Sequence, residues 1–438
     1  MYGLENSLWQ FLHASVAWIL DLTPRQALLM LWPFLLLSLP RYMLTGLFVF
    51  LLSFRPEPRE KARFMQRLAR EQPMVSILLP GYNEHDTLEG TVLSLREQSY
   101  PNFEIIVVSD GSDDGMDKVG RKLAARGWVR FFDHKIRGGK VSAANFALEA
   151  ARGDYIAICD ADSTFDRDAI WHLMAEFYRP DVYAVAGNLR VRNADANLLT
   201  RCQAMQYVLS IGLGRRVSAM LGILFIVSGA FGAFRRDALE RVGGWDTGPG
   251  EDADLTIKLR MLGGRVAFAP LAMCMTDAPD KWWGYFKQQM RWNRSTVRLR
   301  LGKYSRVLRP GHPFRWSNLL ASLDVVVFQV VFGFTFPVYL VWLFYNYPRE
   351  FPYFVVGVSL LYVCVNFVSY GLALALSERP REDVKLLPYL PLYGLFSGWY
   401  LRTVRILAYL DELFFRSSYR EPYVPEYVQK ETRKTHPW

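Results

Sequence analysis

Tyr155-Ile-Ala-Ile-Cys-Asp-Ala-Asp162 is a short apolar run that stops on two acids one residue apart. Apolar runs of this length, rich in β-branched and aromatic residues and bounded by polar ones, read as buried strands. Met74-Val-Ser-Ile-Leu-Leu79 and Phe103-Glu-Ile-Ile-Val-Val108 have the same form, and each also ends at polar residues. Between them, 86–98 and 115–126 carry amphipathic helical spacing. Repeated strand–helix–strand units predict a doubly wound, mostly parallel α/β sheet with right-handed crossovers. Ligands of such sheets bind beyond the carboxyl ends of the strands. Tyr82-Asn-Glu84, Asp110-Gly-Ser112 and Asp160-Ala-Asp162 all fall there.

Outside this region the chain changes solvent. Of its 438 residues 51% are hydrophobic and 15% aromatic, and the apolar ones gather at the two ends. Segments 8–22 and 27–54, the second containing Pro40 and Arg41, predict a transmembrane hairpin over 1–54. Arg55, Arg59, Lys61, Arg63, Arg67 and Arg70 then make 55–72 a basic linker, which the positive-inside rule assigns to the cytoplasm. A domain over 73–312 follows. Apolar segments return at 319–344, 354–376 and 386–413, predicting transmembrane helices within 313–415 and leaving a polar tail over 416–438. The third contains Arg402 and Arg405, which are costly in lipid and should face protein or water. Two spans before the domain and three after would put the basic tail outside, against the charge rule, so one segment should be interfacial or re-entrant. Within the domain, about 198–225 and 282–300 mix aromatic and basic residues. They read as amphipathic helices, lying at the membrane interface or packing on the domain.

Several function classes lose their footing here. The net charge of +10 is spread along the chain with no recognition module, which argues against a nucleic-acid partner. Cys159, Cys202, Cys274 and Cys364 form no Cys-x-x-Cys pair and have no histidine at metal spacing, so they read as buried thiols in a reducing compartment. No Walker A pattern is present, and the N-terminus lacks the basic start and cleavage site of a signal peptide.

The chemistry-bearing residues have two readings each. Asp160 and Asp162 lie two apart on a strand end and point the same way. They suit Mg²⁺ or Mn²⁺ bridging a diphosphate, or a simple turn. Asp110 can accept hydrogen bonds from a base or ribose, or cap the next helix, a role better suited to Asp113 and Asp114. Arg137-Gly-Gly-Lys140 offers flexible backbone and a cation for phosphate. Glu251 and Asp252, in Gly250-Glu-Asp252, either supply a general base for an acceptor hydroxyl or cap a helix over 253–261. Gln288, Arg291 and Trp292 share one helical face, where arginine can hold phosphate and tryptophan can stack on a sugar.

In order, Asp, Asp-x-Asp, Glu-Asp and Gln-x-x-Arg-Trp, bracketed by apolar segments, resemble the processive family 2 glycosyltransferases: cellulose, hyaluronan, chitooligosaccharide and poly-N-acetylglucosamine synthases. The resemblance runs from about Pro73 to Arg298. Segments 184–192 and 227–236 look most like the poly-N-acetylglucosamine synthases, while 250–256 and 291–295 lean toward the chitooligosaccharide and hyaluronan enzymes. Gly250 departs from the family's usual threonine before Glu-Asp.

The resemblance implies a GT-A fold in a cytoplasmic domain of a multi-pass inner-membrane protein, with a UDP-sugar donor, best UDP-N-acetylglucosamine, and a growing polysaccharide. Tyr82, Glu84 and Asp110 would contact uridine. Lys140, Asp160, Gln288 and Arg291 would face the diphosphate, with Asp162 on the metal. Asp252, beside Glu251, would be the base, and Trp292 would carry the acceptor. The bilayer is the expected partner, with room for a small membrane subunit. A non-processive transferase acting on one lipid acceptor is the nearest rival.

Overall fold

The computed structural model describes residues 2–40, 43, 45–54, 57–305, 316–420 and 424–435. Arg41, Arg55 and the expected 312/313 boundary lie outside them. The chain forms two compact units, one of residues 1–55 with 323–407 and one of 56–322 with 408–438.

The second unit is built on one mixed sheet of eight strands: β1 (Val75–Gly81), β2 (Phe103–Asp110), β3 (Arg130–His134), β4 (Tyr155–Cys159), β5 (Thr164–Phe165), β6 (Val182–Val191), β7 (Phe231–Arg235) and β8 (Arg265–Thr276). Their spatial order is β3-β2-β1-β4-β7-β6-β8-β5. The three runs read as buried strands are β1, β2 and β4, which pair in parallel. Both faces are covered, so they read as nearly continuous apolar runs and every residue of β1 is buried. β7 runs antiparallel between β4 and β6, and β5 antiparallel to β8, so the parallel order holds only for part of the sheet.

Register decides what meets at the carboxyl edge. Gly81 lies opposite Ser109 and Asp110 opposite His134, while Leu78 is level with Ile158, just ahead of Asp160. Leu78, Ile106, Val108, Ile156 and Ile158 form one core with Ala143, Ala144 and Ala147 of helix Lys140–Ala150. Each buried Leu or Ile contributes about 1.5–3 kcal/mol, and the alanines let that helix approach the sheet closely.

Segment 198–225 becomes helix Leu198–Tyr207, a π-helical turn Val208–Gly214 and helix Arg215–Met220. It buries Leu199, Cys202, Met205 and Val208, so it packs on the domain. Segment 282–300 becomes helix Trp282–Val297 with a π-helical extension Arg298–Lys303. Tyr285 on it is buried and its hydroxyl donates to Gln206 Oε1 at 2.6 Å, while Trp282 and Trp283 are exposed.

The first unit is all-helical. Met30 and Leu31 pack with Leu343, Phe354 and Val358, and the Tyr339 hydroxyl donates to the Met30 carbonyl at 2.6 Å. Among the described residues two helical stretches are long and apolar enough to cross a membrane, Trp316–Asn346 and Phe351–Ala375, with mean hydropathies of 2.0 and 1.9. Only 22% of the most apolar 18 residues of each is buried, which leaves apolar side surfaces outward. Segment 386–413 is not a single smooth helix. Near Pro388 and Pro391 it starts as 3₁₀ helix Val384–Tyr389 and helix Leu390–Leu395, then passes through a π-helical turn Phe396–Tyr400 into helix Leu401–Phe415. Arg402 lies over Phe336 at 4.1 Å and donates to the Tyr362 hydroxyl at 3.2 Å, so it faces protein. Three cysteines are buried as expected, but Cys364 on an apolar helix is exposed.

Candidate active site

The strand-end loops are tied to one another before any ligand arrives. Asn83 sits in the left-handed region with φ 59°. Its amide donates to Asp113 at 2.7 Å and accepts from the Asp113 N–H at 3.0 Å, while Asp114 accepts from the His85 N–H at 2.8 Å. Asp114 also accepts from Met116 N–H at 2.9 Å, so the later acids of that loop do cap the helix. Asp110 is different. It is buried, and its two oxygens accept from the Gly138 and Gly139 N–H groups at 2.7 and 2.8 Å. It therefore shapes the 137–140 loop. Gly139 has φ +88°, where a side chain would be strained. Arg137 on that loop lies over the Tyr82 ring at 3.8 Å.

Lys140 opens the helix after the loop and sits at the centre of the site. Its ammonium donates to Asp160 and lies 3.5 Å from the Gly229 carbonyl. A Cβ on Gly229 would meet Lys140 Nζ at 3.1 Å and Glu251 Oε1 at 3.8 Å, so cation and carboxylate converge on this glycine. Burial pulls the lysine's pKa down, but the charges of Asp160 and Glu251 outweigh it and raise the value above normal.

The acids are crowded. Burial and then Asp160 push Asp162 up. Burial raises Glu84 too, with Thr87 opposing and Asp162 and Asp160 adding. Asp252 is pushed up to about 6 by burial and by Glu251, against the pull of the Ala253 amide, Lys140 and Arg215. Arg215 is buried, donates to the Gly187 carbonyl at 3.1 Å, and is itself lowered to about 10 by burial. Among the described residues no three His, Cys, Asp or Glu groups converge as a ready metal cage. Two hard carboxylates in a site of excess negative charge do suit a divalent cation whose remaining ligands come from phosphate and water.

Glu251 and Asp252 occupy the first turn of helix Glu251–Met261, where negative charge is favoured. Asp252 Oδ1 accepts from Ala253 N–H at 2.7 Å, so a capping bond coexists with exposure to the site. Gly250 has φ +79°, and a Cβ there would lie 2.6 Å from Ser295 Cβ. That close approach explains why glycine stands where the resemblance expects threonine. Arg298 donates to the Pro249 carbonyl at 3.0 Å, so the helix bearing Gln288, Arg291 and Trp292 is fastened to the turn leading into Glu251. Gln288 is half-buried with its Oε1 unpaired, Arg291 is half-buried, and Trp292 is 41% exposed.

Sequence reading passed over several residues at this site. Arg192 clasps Asp277 at 2.6 and 3.0 Å and donates to the Asp162 carbonyl at 3.1 Å. Lys303, Tyr304, Asp246 and Asp254 form a largely buried network two residues along the helix from Asp252. Asp254 was visible as a second acid after Glu-Asp; nothing in the local pattern marks Lys303 or Tyr304.

Residues 76–243 match the model of "Glycosyl transferase family 2". A poly-beta-1,6-N-acetyl-D-glucosamine synthase of Staphylococcus aureus is 34% identical over 220 residues, 50% of this chain and 53% of that one. The chain thus spans about half the length of such relatives. The synthase of that name from Staphylococcus epidermidis is 26% identical over 80% of this chain and 85% of its own. Among solved structures, a mannosyltransferase from Pyrobaculum calidifontis, in complex with GDP-Man and Mn²⁺, aligns with TM-score 0.53 at 21% identity over 82% of this chain and 99% of its own. That likeness concerns the fold, which is GT-A-like.

Proposed function

We propose that this protein is an inverting, processive β-glycosyltransferase using a UDP-sugar, best UDP-N-acetylglucosamine, a reading supported by the match of residues 76–243 to the family 2 glycosyl transferase model and the likeness to poly-beta-1,6-N-acetyl-D-glucosamine synthases. The convergence of Asp160, Glu251 and Asp252 on Lys140 carries the reading. Asp252 takes the proton of an acceptor hydroxyl, whose oxygen attacks the anomeric carbon. The bond to the β-phosphate oxygen breaks, and its electron pair leaves on UDP. Lys140, Gln288 and Arg291 face that diphosphate, while Tyr82, Glu84 and Asp110 frame the uridine. Trp292 stacks under the acceptor sugar. Mg²⁺ or Mn²⁺, held by Asp162 with Asp160, would neutralise charge on the diphosphate; the mannosyltransferase's Mn²⁺ supports a metal here.

The membrane reading is multi-pass, with catalysis on the cytoplasmic face and the polymer leaving along the spans. Residues 408–438 fold with the catalytic unit. Arg294 pairs with Asp411 at 2.6 Å, Arg298 lies 4.9 Å over Tyr419, and the Tyr427 hydroxyl donates to the Arg137 carbonyl at 2.6 Å. A chain that leaves and returns to one side crosses an even number of times, and the two apolar stretches supply two. This supports segment 386–413 as the non-spanning one.

The test is purified full-length protein with UDP-N-acetylglucosamine, UDP-glucose and UDP-glucuronate, each with Mg²⁺ or Mn²⁺, followed by product sizing. Long polymer from the first donor is expected. A single transferred sugar on lipid would replace the processive reading, and no UDP release from any donor would end it.

A further inference from the structure

We propose that Lys303 and Tyr304 are positioning residues that, through Asp254 and Asp246, fix the helix carrying Asp252 against the helix carrying Gln288, Arg291 and Trp292. The inference deepens the transferase reading and rests on it.

Asp254 lies two residues beyond Asp252, and its side chain is 4% exposed. One of its oxygens accepts from the Tyr304 hydroxyl and the other from Lys303 Nζ at 2.6 Å. Lys303 also pairs with Asp246 at 2.7 Å, and Asp246 with Lys258 at 2.6 Å. Lys258 reaches back to the Gly244 carbonyl at 3.1 Å. Two acids and two lysines thus balance in a largely buried cluster. Its members come from the turn before Glu251, from helix Glu251–Met261, and from the π-helical extension that ends the Trp282 helix.

An apolar cluster of this volume would hold the helices at least as firmly, because ion pairs lose much of their attraction to desolvation. What charges add is direction. Each carboxylate here has both oxygens assigned to particular donors, so a slip of either helix breaks several of these bonds at once. Packing enforces the same register: the Gly250 position is closed by Ser295 and Leu299, and Arg298 holds the Pro249 carbonyl. A π-helical segment beside a functional site also fits this role, since the extra residue per turn re-aims side chains. The two helices that would present base and acceptor are consequently held as one body.

Full-length protein tests this with initial rates on UDP-N-acetylglucosamine and hydrogen exchange over 246–256. Tyr304→Phe and Lys303→Met should lower kcat by about 10- to 100-fold, the scale of a misplacement near 1 Å, with donor KM within about twofold of wild type. Lys303→Arg should restore most of kcat, and Asp254→Asn combined with Tyr304→Phe should cost no more than the worse single change. Exchange should rise at 246–256 while the β1–β4 amides stay protected. Wild-type kcat in the variants, unchanged exchange at 246–256, or equal losses of donor binding and global stability would each overturn the assignment. A wild-type protein that turns over no UDP-sugar would sink the transferase reading, and the exchange arm would still judge the network.

Discussion

Replacing Asp252 by asparagine should stabilise this protein at neutral pH while removing its transfer activity. The carboxyl is raised from 3.8 to about 6, chiefly by burial and then by Glu251. That is roughly two units, or about 3 kcal/mol at 1.36 kcal/mol per unit. Its sign follows from proton counting. Between pH 3.8 and about 6 the native state binds the proton and the unfolded state has lost it, so stability falls as pH rises through that window and stays lower above it. Asparagine is never charged, and its Oδ1 can keep the 2.7 Å bond from Ala253 N–H. The shift already includes the pull of Lys140 and Arg215, so the gain above pH 6 is at most about 3 kcal/mol, several degrees in unfolding temperature for a domain of this size. Transfer should drop by about 10²–10⁴, the share of a general base. Wild-type kcat/KM should fall tenfold per pH unit below about 6, and Glu251→Gln should move that limb to lower pH. Thermal unfolding of the solubilised protein at pH 7.5 and 5, with a pH–rate profile, reads all of this. An Asp252→Asn variant less stable than wild type at pH 7.5, or a profile flat through pH 6, refutes the argument.

Further outcomes can be checked. Gly250→Thr moves toward the family's usual residue, yet at φ +79° and 2.6 Å from Ser295 it should cost more than about 1 kcal/mol in unfolding experiments and reduce transfer. Tyr427→Phe removes one bond to the Arg137 carbonyl, so UDP affinity by calorimetry should weaken by up to about fivefold with thermal stability unchanged. In sealed inverted membrane vesicles, protease should reach tags at both the C-terminus and the 55–72 linker; protection of only the C-terminal tag would contradict an even number of crossings.

Much of the sheet-bearing unit was legible because its signals are local. Strands β1, β2 and β4 are continuous apolar runs, and a run covered on both faces leaves no other pattern. The acids at their ends were legible for the same reason: a strand's carboxyl end places its next polar residue at the sheet edge. Antiparallel β7 was not legible, since Phe231–Arg235 is five residues among glycines and nothing local sets its direction. That the Asp110 oxygens hold the Gly138 and Gly139 amides was not legible, since that pairing joins chain segments 28 and 29 residues apart.

The sequence by itself determined the family resemblance, the order of acids and the segregation of apolar ends, because each depends on residue type and spacing along the chain. Folding in three dimensions alone settles that Lys140 bridges Asp160 toward Glu251, that Lys303 and Tyr304 hold Asp254, and that residues 408–438 return to the sheet-bearing unit. Those facts are distances between residues far apart in the chain, and charge acts through distance: the same aspartate titrates near 4 in water and about 6 where burial and Glu251 surround it.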